Sequence, residues 1–168
     1  QDETEKQVRR YSNFQLAKKV TLNSAYGSLA NPYFRFSDWR LSSAITVSGQ
    51  LTTQWIIRDV NLFLNEKSGT TDVDYIVAGD TDSIYLRLDS LIEHQKMEGK
   101  TLNDTKKNVE NFCNGELSKF IAERFAALAV HMNAYENTMK MKLESVCNRA
   151  IWKAKKMYIL NVLSSEGV

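Results

Sequence analysis

The 168-residue chain holds one proline, two cysteines and no long hydrophobic run. With Pro32 alone and no Gly- or Ser-rich tract, the composition marks no linker and no domain boundary. Cys113 and Cys147 form no C-x-x-C pair and sit in apolar-patterned segments. That pattern fits reduced core thiols in an intracellular protein and argues against a disulfide framework. The apolar runs are a few residues long, far short of the ~20 that a membrane-spanning helix needs. The first residues, Gln-Asp-Glu-Thr-Glu, are polar and acidic, unlike a signal peptide. The chain does not start with Met and stops just beyond a strand-like run, so it is expected to be processed or to be a piece of something longer.

What remains is ordinary globular material, 43% hydrophobic and 25% charged, with enough length for one core. The net charge of +2 hides an asymmetry. From Met139 to Asn161 six basic residues stand against Glu144 alone, whereas from Glu66 to Glu116 eleven acids face six bases. A basic end beside an acidic centre suits a protein that holds a polyanion in one place and a divalent cation in another. An unevenly charged, solvated surface is the plainer explanation.

Periodicity predicts a helix over residues 4–29, ended by Gly27 and Asn31-Pro32. A short extended stretch, residues 33–36, should follow. Ser37-Asp38 is a candidate N-cap for a second helix over 39–64. A hairpin is expected over 75–88, a long helix over 104–133, and two strands over 140–147 and 151–162, separated by Asn148-Arg149. The expected fold class is α+β: a four-stranded antiparallel sheet with helices packed on one face, and a protruding N-terminal helix.

Three stretches carry chemistry. In "AGDTDSIY", Asp80 and Asp82 lie two apart, so on a strand their side chains share a face while Thr81 points away. Gly79 allows a positive φ or the close approach of another backbone. Neighbouring carboxylates repel, and burial makes this worse unless a cation neutralises them. Hard oxygen ligands at this density suit Mg²⁺, which needs one or two carboxylates when substrate phosphates complete its shell. An Asp-rich turn that caps itself is the alternative, and the flanking apolar strands argue for a buried tip on a packed sheet. In "KVTLNSAYG", Lys19 and Asn23 are one helical turn apart, and Tyr26 and Gly27 continue that face. A cation, an amide, a ring and a bare backbone in line would hold a triphosphate and a base pair. The alternative is an amphipathic helix with Tyr26 in the core and Lys19 in solvent. In "WKAKKMY", read as one strand, Lys153, Lys155 and Met157 face one side and Lys156 and Tyr158 the other. That suits a phosphate-contacting ribbon, although lysine also guards edge strands. Glu144, in "MKLESV", is either a further carboxylate of the site or a surface residue.

The order K-x3-N-S-x-Y-G, G-D-T-D-S, an acidic strand, then Lys-Lys-x-Tyr resembles the family B DNA polymerases over nearly the whole chain. "VTLNSAYGSLANPYFRF" and "AGDTDSIY" look most like the replicative polymerases of T-even-type phages. The resemblance implies template-directed, Mg²⁺-dependent addition of deoxynucleotides to a primer 3′ end, with two ions for which Mn²⁺ can substitute. It implies that Lys19 and Asn23 hold the triphosphate of the incoming dNTP, and that Ser24, Tyr26, Gly27 and Thr81 lie against the nucleotide. Asp82 would bridge the metals, with Asp80 beside it and Glu144 nearby; Asp82, Asp80 and Lys19 would be the catalytic set. Lys153, Lys155, Lys156 and Tyr158 would track the primer–template DNA. In the family's terms residues 1–30 would be the C-terminal portion of the fingers and 31–168 most of the palm. The setting would be the cytoplasm of a phage-infected bacterium, and further partners the remaining polymerase segments and a sliding clamp.

The sequence departs from the family in two places: Met157 stands where a basic residue is usual, and Lys142 where the T-even-type pattern has Asp. The family's other metal aspartate belongs to a D-x2-S-L-Y-P segment that does not occur in these residues. Two-metal phosphoryl transfer needs both ions clamped. The chain alone is therefore expected to be inactive, as a piece of a longer polymerase or of a split enzyme. A non-catalytic DNA-binding or assembly module derived from a polymerase is the alternative.

Overall fold

Pro32 marks the first boundary. Helix α1 spans Asp2–Ala30, and the chain then turns on Asn31, whose side-chain oxygen accepts from the Tyr33 N–H at 3.0 Å. Residues 33–36 form successive turns, not the extended stretch expected, because the backbone N–H groups of Phe34 and Ser37 bond back to Asn31 and Phe34. Asp38 then caps helix α2 (Trp39–Ser68): its Oδ1 accepts from the Arg40 N–H at 2.9 Å, and the Arg40 guanidinium grips the same carboxylate. The computed structural model describes residues 2–80, 82–154 and 156–165. They fall into two compact units, Gln1–Gln50 and Leu51–Val168.

The second unit holds the core. Ile56, Val60 and Leu64, spaced one helical turn apart on α2, are fully buried. Each contributes roughly 1.5–3 kcal/mol by leaving water. They meet Tyr75, Leu91, Val109, Phe112, Leu117, Ile121 and Phe125. Phe63 stacks on Phe120 with ring centroids 4.3 Å apart. Strands β1 (Ile76–Asp80) and β2 (Ser83–Leu86) form the first hairpin, and the short helix α3 (Asp89–His94) follows. The expected long helix is α4 (Leu102–Phe112), a π-helical turn over Cys113–Leu117, and α5 (Ser118–His131). Thr101 and Asp104 exchange side-chain bonds with each other's backbone and cap α4.

The fold is α+β as expected, but the four strands do not make one sheet. Among the described residues β1 pairs only with β2, and β3 (Ser145–Ala154) only with β4 (Met157–Ser165), as two antiparallel hairpins. Where β2 meets the second hairpin, Tyr85 lies against Trp152 and Tyr158, so rings and not peptide groups fill the junction. Asn148-Arg149 is not a break between strands. It lies inside β3, where the register shifts, and the Asn148 side chain accepts from Asn161 across the ladder at 2.8 Å. The chain reverses between Ala154 and Met157, which pair across the ladder, with Lys156 at φ 62°. The "WKAKKMY" stretch thus runs from the end of β3 into the start of β4, and the single-strand face assignment of Lys153, Lys156 and Tyr158 does not hold. The end of β4 is tied to α4: Ser164 donates to Glu110 at 2.6 Å, and Lys106 donates to the Leu163 carbonyl at 3.3 Å.

Two asparagines of α2 position the first hairpin. Asn65 donates to the Val73 carbonyl at 2.8 Å and accepts from the Val73 N–H at 3.0 Å, much as a neighbouring strand would. Its Oδ1 also takes the Thr70 hydroxyl at 2.9 Å. One turn earlier, Asn61 accepts from the Tyr75 N–H and donates to Asp74, both at 2.9 Å. Removing these bonds leaves half-buried backbone groups unpaired. Asn65→Ala is therefore expected to lower stability by ~2–3 kcal/mol in urea unfolding; a loss below ~0.5 kcal/mol would contradict the clamp. Burial, with the Glu110 charge nearby, pushes the Cys113 thiol up to about 11. Native-state alkylation with peptide mapping should accordingly modify the half-buried Cys147 first and reach Cys113 only on denaturation.

Candidate functional site

The tip of the first hairpin is a tight reversal. Asp80 ends β1, Asp82 lies in the turn, and Thr81 between them lies outside the described residues. The Asp80 carbonyl accepts from the Asp82 N–H and from the Ser83 hydroxyl. Because Asp82 sits in the turn and not on a strand, strand alternation does not decide where its side chain points. Gly79 does not use a positive φ. A Cβ there would meet the Ser83 carbonyl oxygen at 3.4 Å and Ile57 Cδ1 at 3.5 Å, an ordinary contact with the helix behind it. The expected burial of the tip is not seen: Asp82 is exposed and the Asp80 side chain 43% exposed. The hairpin packs through its root, where Tyr75 is buried and Ile76, Ile84 and Leu86 lie against the core.

The second hairpin brings its turn to the first. Lys156 Nζ lies 3.9 Å from Asp80 Oδ2. Behind this pair Tyr85 sits edge-on between Trp152 and Tyr158, with ring centroids at 5.5 and 5.7 Å, and donates its hydroxyl to Tyr158 at 3.1 Å. That bond, then burial, pushes the Tyr85 phenol up to about 12, with added repulsion from the charges of Glu144 and Asp80. Tyr85 is therefore a neutral donor at any ordinary pH. Lys153 is exposed on β3, Met157 starts β4 in an exposed position, and Lys155 lies outside the described residues.

Glu144 immediately precedes β3. It lines a polar cavity of about 320 Å³ with Glu110, Asn114, Ser118, Lys142 and Ser164. Among the described residues, no three His, Cys, Asp or Glu side chains gather into a metal-holding group. What the second unit does bring together is Asp80 at one turn and the Lys156 ammonium beside it, in front of an aromatic junction.

In the first unit Lys19, Asn23, Ser24, Tyr26 and Gly27 lie on α1. Lys19 and Asn23 are exposed, and Tyr26 is not a core residue: it is 41% exposed, with its hydroxyl 2.6 Å from Thr46 Oγ1. The bonds to Thr46 and Ser42 hold its phenol below the usual tyrosine range. The Ser24 carbonyl accepts from Ser28, and a Cβ on Gly27 would meet nothing within 4 Å. Sequence reasoning missed Tyr85 and Trp152. An aromatic two residues past Ser83, on the same strand face, was the available signal for Tyr85. Trp152 carried none beyond being bulky in a β-prone run.

No family model matches the chain. It is 37% identical over 174 aligned residues to the DNA-directed DNA polymerase of Enterobacteria phage T4, covering 98% of this chain and 19% of that protein. It is 35% identical to the DNA-directed DNA polymerase of Escherichia phage RB69, covering 91% of this chain and 18% of that one. A DNA polymerase of Choristoneura biennis entomopoxvirus is 25% identical, with 92% of this chain and 17% of that protein covered. The chain thus spans less than a fifth of the length of these relatives. Over these residues the chain is similar to one portion of the T4 and RB69 DNA polymerases.

Proposed function

We propose that this chain supplies a portion of the active site of a template-directed DNA polymerase, adding deoxynucleotides to a primer 3′ end. The observation that carries the reading is the Asp80–Lys156 approach, which unites the G-D-T-D-S and Lys-Lys-x-Tyr turns at one place. In family terms residues 1–30 belong to the fingers and 31–168 to the palm. The compact-unit boundary at Gln50 follows packing and falls inside α2.

Asp82 and Asp80, with Glu144 near, are the groups to hold two Mg²⁺ ions, or Mn²⁺ in their place. The donor set fits: these are hard oxygens, and Asp80 already draws a cation, the Lys156 ammonium, to 3.9 Å. When bound, the ions offset charge that builds on the reacting phosphate. The remaining work falls to the protein. Lys19 and Asn23 bind the triphosphate from α1, where both are exposed to reach it. Ser24, Tyr26, Gly27 and Thr81 fit around the nucleotide. Thr46 fixes the Tyr26 ring through its hydroxyl, so that one edge of the ring is held for the base pair. Lys153, Lys155 and Lys156 meet primer–template phosphates, and Tyr158, steadied by Tyr85, rests against the duplex.

The D-x2-S-L-Y-P segment that would complete the metal clamp does not occur here. Primer extension with Mg²⁺ and dNTPs should therefore fail for this chain alone and appear when the upstream polymerase portion is supplied. In that reconstituted enzyme, Asp82→Ala should cut the extension rate by at least ~100-fold. Extension by the chain alone would overturn the partial-site reading. An unchanged rate in the Asp82 variant would instead favour a non-catalytic DNA-binding module.

A further inference from the structure

From Lys6 to Ser37 the chain carries six cations, Lys6, Arg9, Arg10, Lys18, Lys19 and Arg35, and not one acid. The only acids of α1 are Asp2, Glu3 and Glu5, in and next to its first turn. Lys6, Arg9, Arg10 and Asn13 recur at helical spacing and line one open groove along α1, together with Phe14 and Ala17. The Phe14 ring is 53% exposed, and the Arg10 guanidinium lies 5.5 Å from its centroid. At 3.6 residues per turn this face lies about a third of a turn round the helix from Lys19, Asn23 and Tyr26. It is thus a second face, which the nucleotide reading leaves unused.

We infer that the Lys6–Phe14 face of α1 binds single-stranded nucleic acid, its cations on successive phosphates and Phe14 stacked on a base. Arg9 and Arg10 beside Lys6, with every acid of α1 lying N-terminal to them, complement a flexible polyanion. An exposed ring flanked by a guanidinium is the platform on which an unpaired base stacks, whereas a duplex hides its base faces. A solvated basic face would not need an aromatic side chain at its centre. A protein-covering apolar face would not place three cations around one. The inference is independent of the metal site, because it involves no carboxylate, ion or triphosphate.

Fluorescence anisotropy of the full chain in EDTA tests it, with a fluorescein-labelled oligo-dT about 20 nucleotides long and a duplex of equal length as probes. The single strand should bind more tightly than the duplex. The triple variant Lys6→Gln, Arg9→Gln, Arg10→Gln should weaken oligo-dT binding by at least ~10-fold and reduce the slope of log affinity against log salt by about 2. Phe14→Ala should weaken it by at least ~5-fold with the salt slope unchanged. Lys153→Gln with Lys156→Gln should affect the duplex more than the single strand, which separates this face from the primer–template reading. Far-UV circular dichroism verifies that each variant keeps its helix. Unchanged oligo-dT affinity in the triple variant, or equal loss for duplex and single strand, overturns the proposal. So does self-association that Phe14→Ala abolishes without any oligonucleotide binding, since the face would then belong to a second copy.

Discussion

The second unit depends on two side-chain amides. Ile56, Val60 and Leu64 bury one stripe of α2. Asn61 and Asn65, beside that stripe, bond the backbone of residues 73–75. A two-stranded hairpin on its own is marginal in water. Here the chain entering β1 is held before the hairpin begins, as if α2 offered it a third strand. The same bonds direct Tyr75 into the core, where its hydroxyl meets Thr70 at 2.8 Å. They also hold the Asp74 carboxyl below the usual aspartate range, through the Asn61 amide first and the Ile76 N–H second. Stability from that carboxylate is present above the pKa of an unfolded aspartate and is lost as pH falls through the lower folded value. Everything at the hairpin tip inherits its position from this clamp.

The second constraint is the meeting of the two hairpin turns. Lys156 has a left-handed backbone at φ 62°, a conformation that favours glycine. Glycine would ease the turn but would remove the ammonium beside Asp80. The residue found there thus favours charge placement over backbone comfort. The surrounding structure over-determines that turn: Trp152 and Tyr158 pair across it, and both rings pack on Tyr85. Further along, Ser164 on Glu110 anchors the far end of β4.

Helices and hairpins were legible where a local rule governs them. Pro32, the Asp38 cap and the α2 stripe each act within a few residues, and the helices lie close to where periodicity places them. Legibility failed where distant contacts override local preference. Asn148-Arg149 looks like a turn, yet Asn161 pairs with Asn148 across the ladder and keeps it inside β3. Nothing local in "KAKKM" signals a left-handed lysine. Helical spacing passes smoothly through Cys113–Leu117, because a π-helical turn shifts the phase without breaking the helix. The single four-stranded sheet failed for a related reason, since alternation identifies strands but not their partners. At the candidate site the carboxylates and lysines were visible as residue types. Their setting was not: the tip is exposed, and Tyr85, which connects the two turns, reads in sequence as one more apolar strand residue.

On the proposed readings the two units would meet opposite charges with different scaffolds. Cation binding would draw on Asp80 and Asp82, which the hairpin turn keeps two residues apart on an exposed tip. Anion binding requires cations that reach outward, which a long exposed helix achieves by projecting side chains at every turn. At 29 residues α1 is long enough for helix propensity to count without a buried face, and its apolar side chains Val8, Tyr11, Leu16 and Leu22 indeed remain exposed. Such a helix can present different residues to different ligands around its circumference, because most of its side chains before Tyr26 are exposed. The acids of α1 end at Glu5, and on the proposed readings a carboxylate further along would repel the phosphates of either ligand.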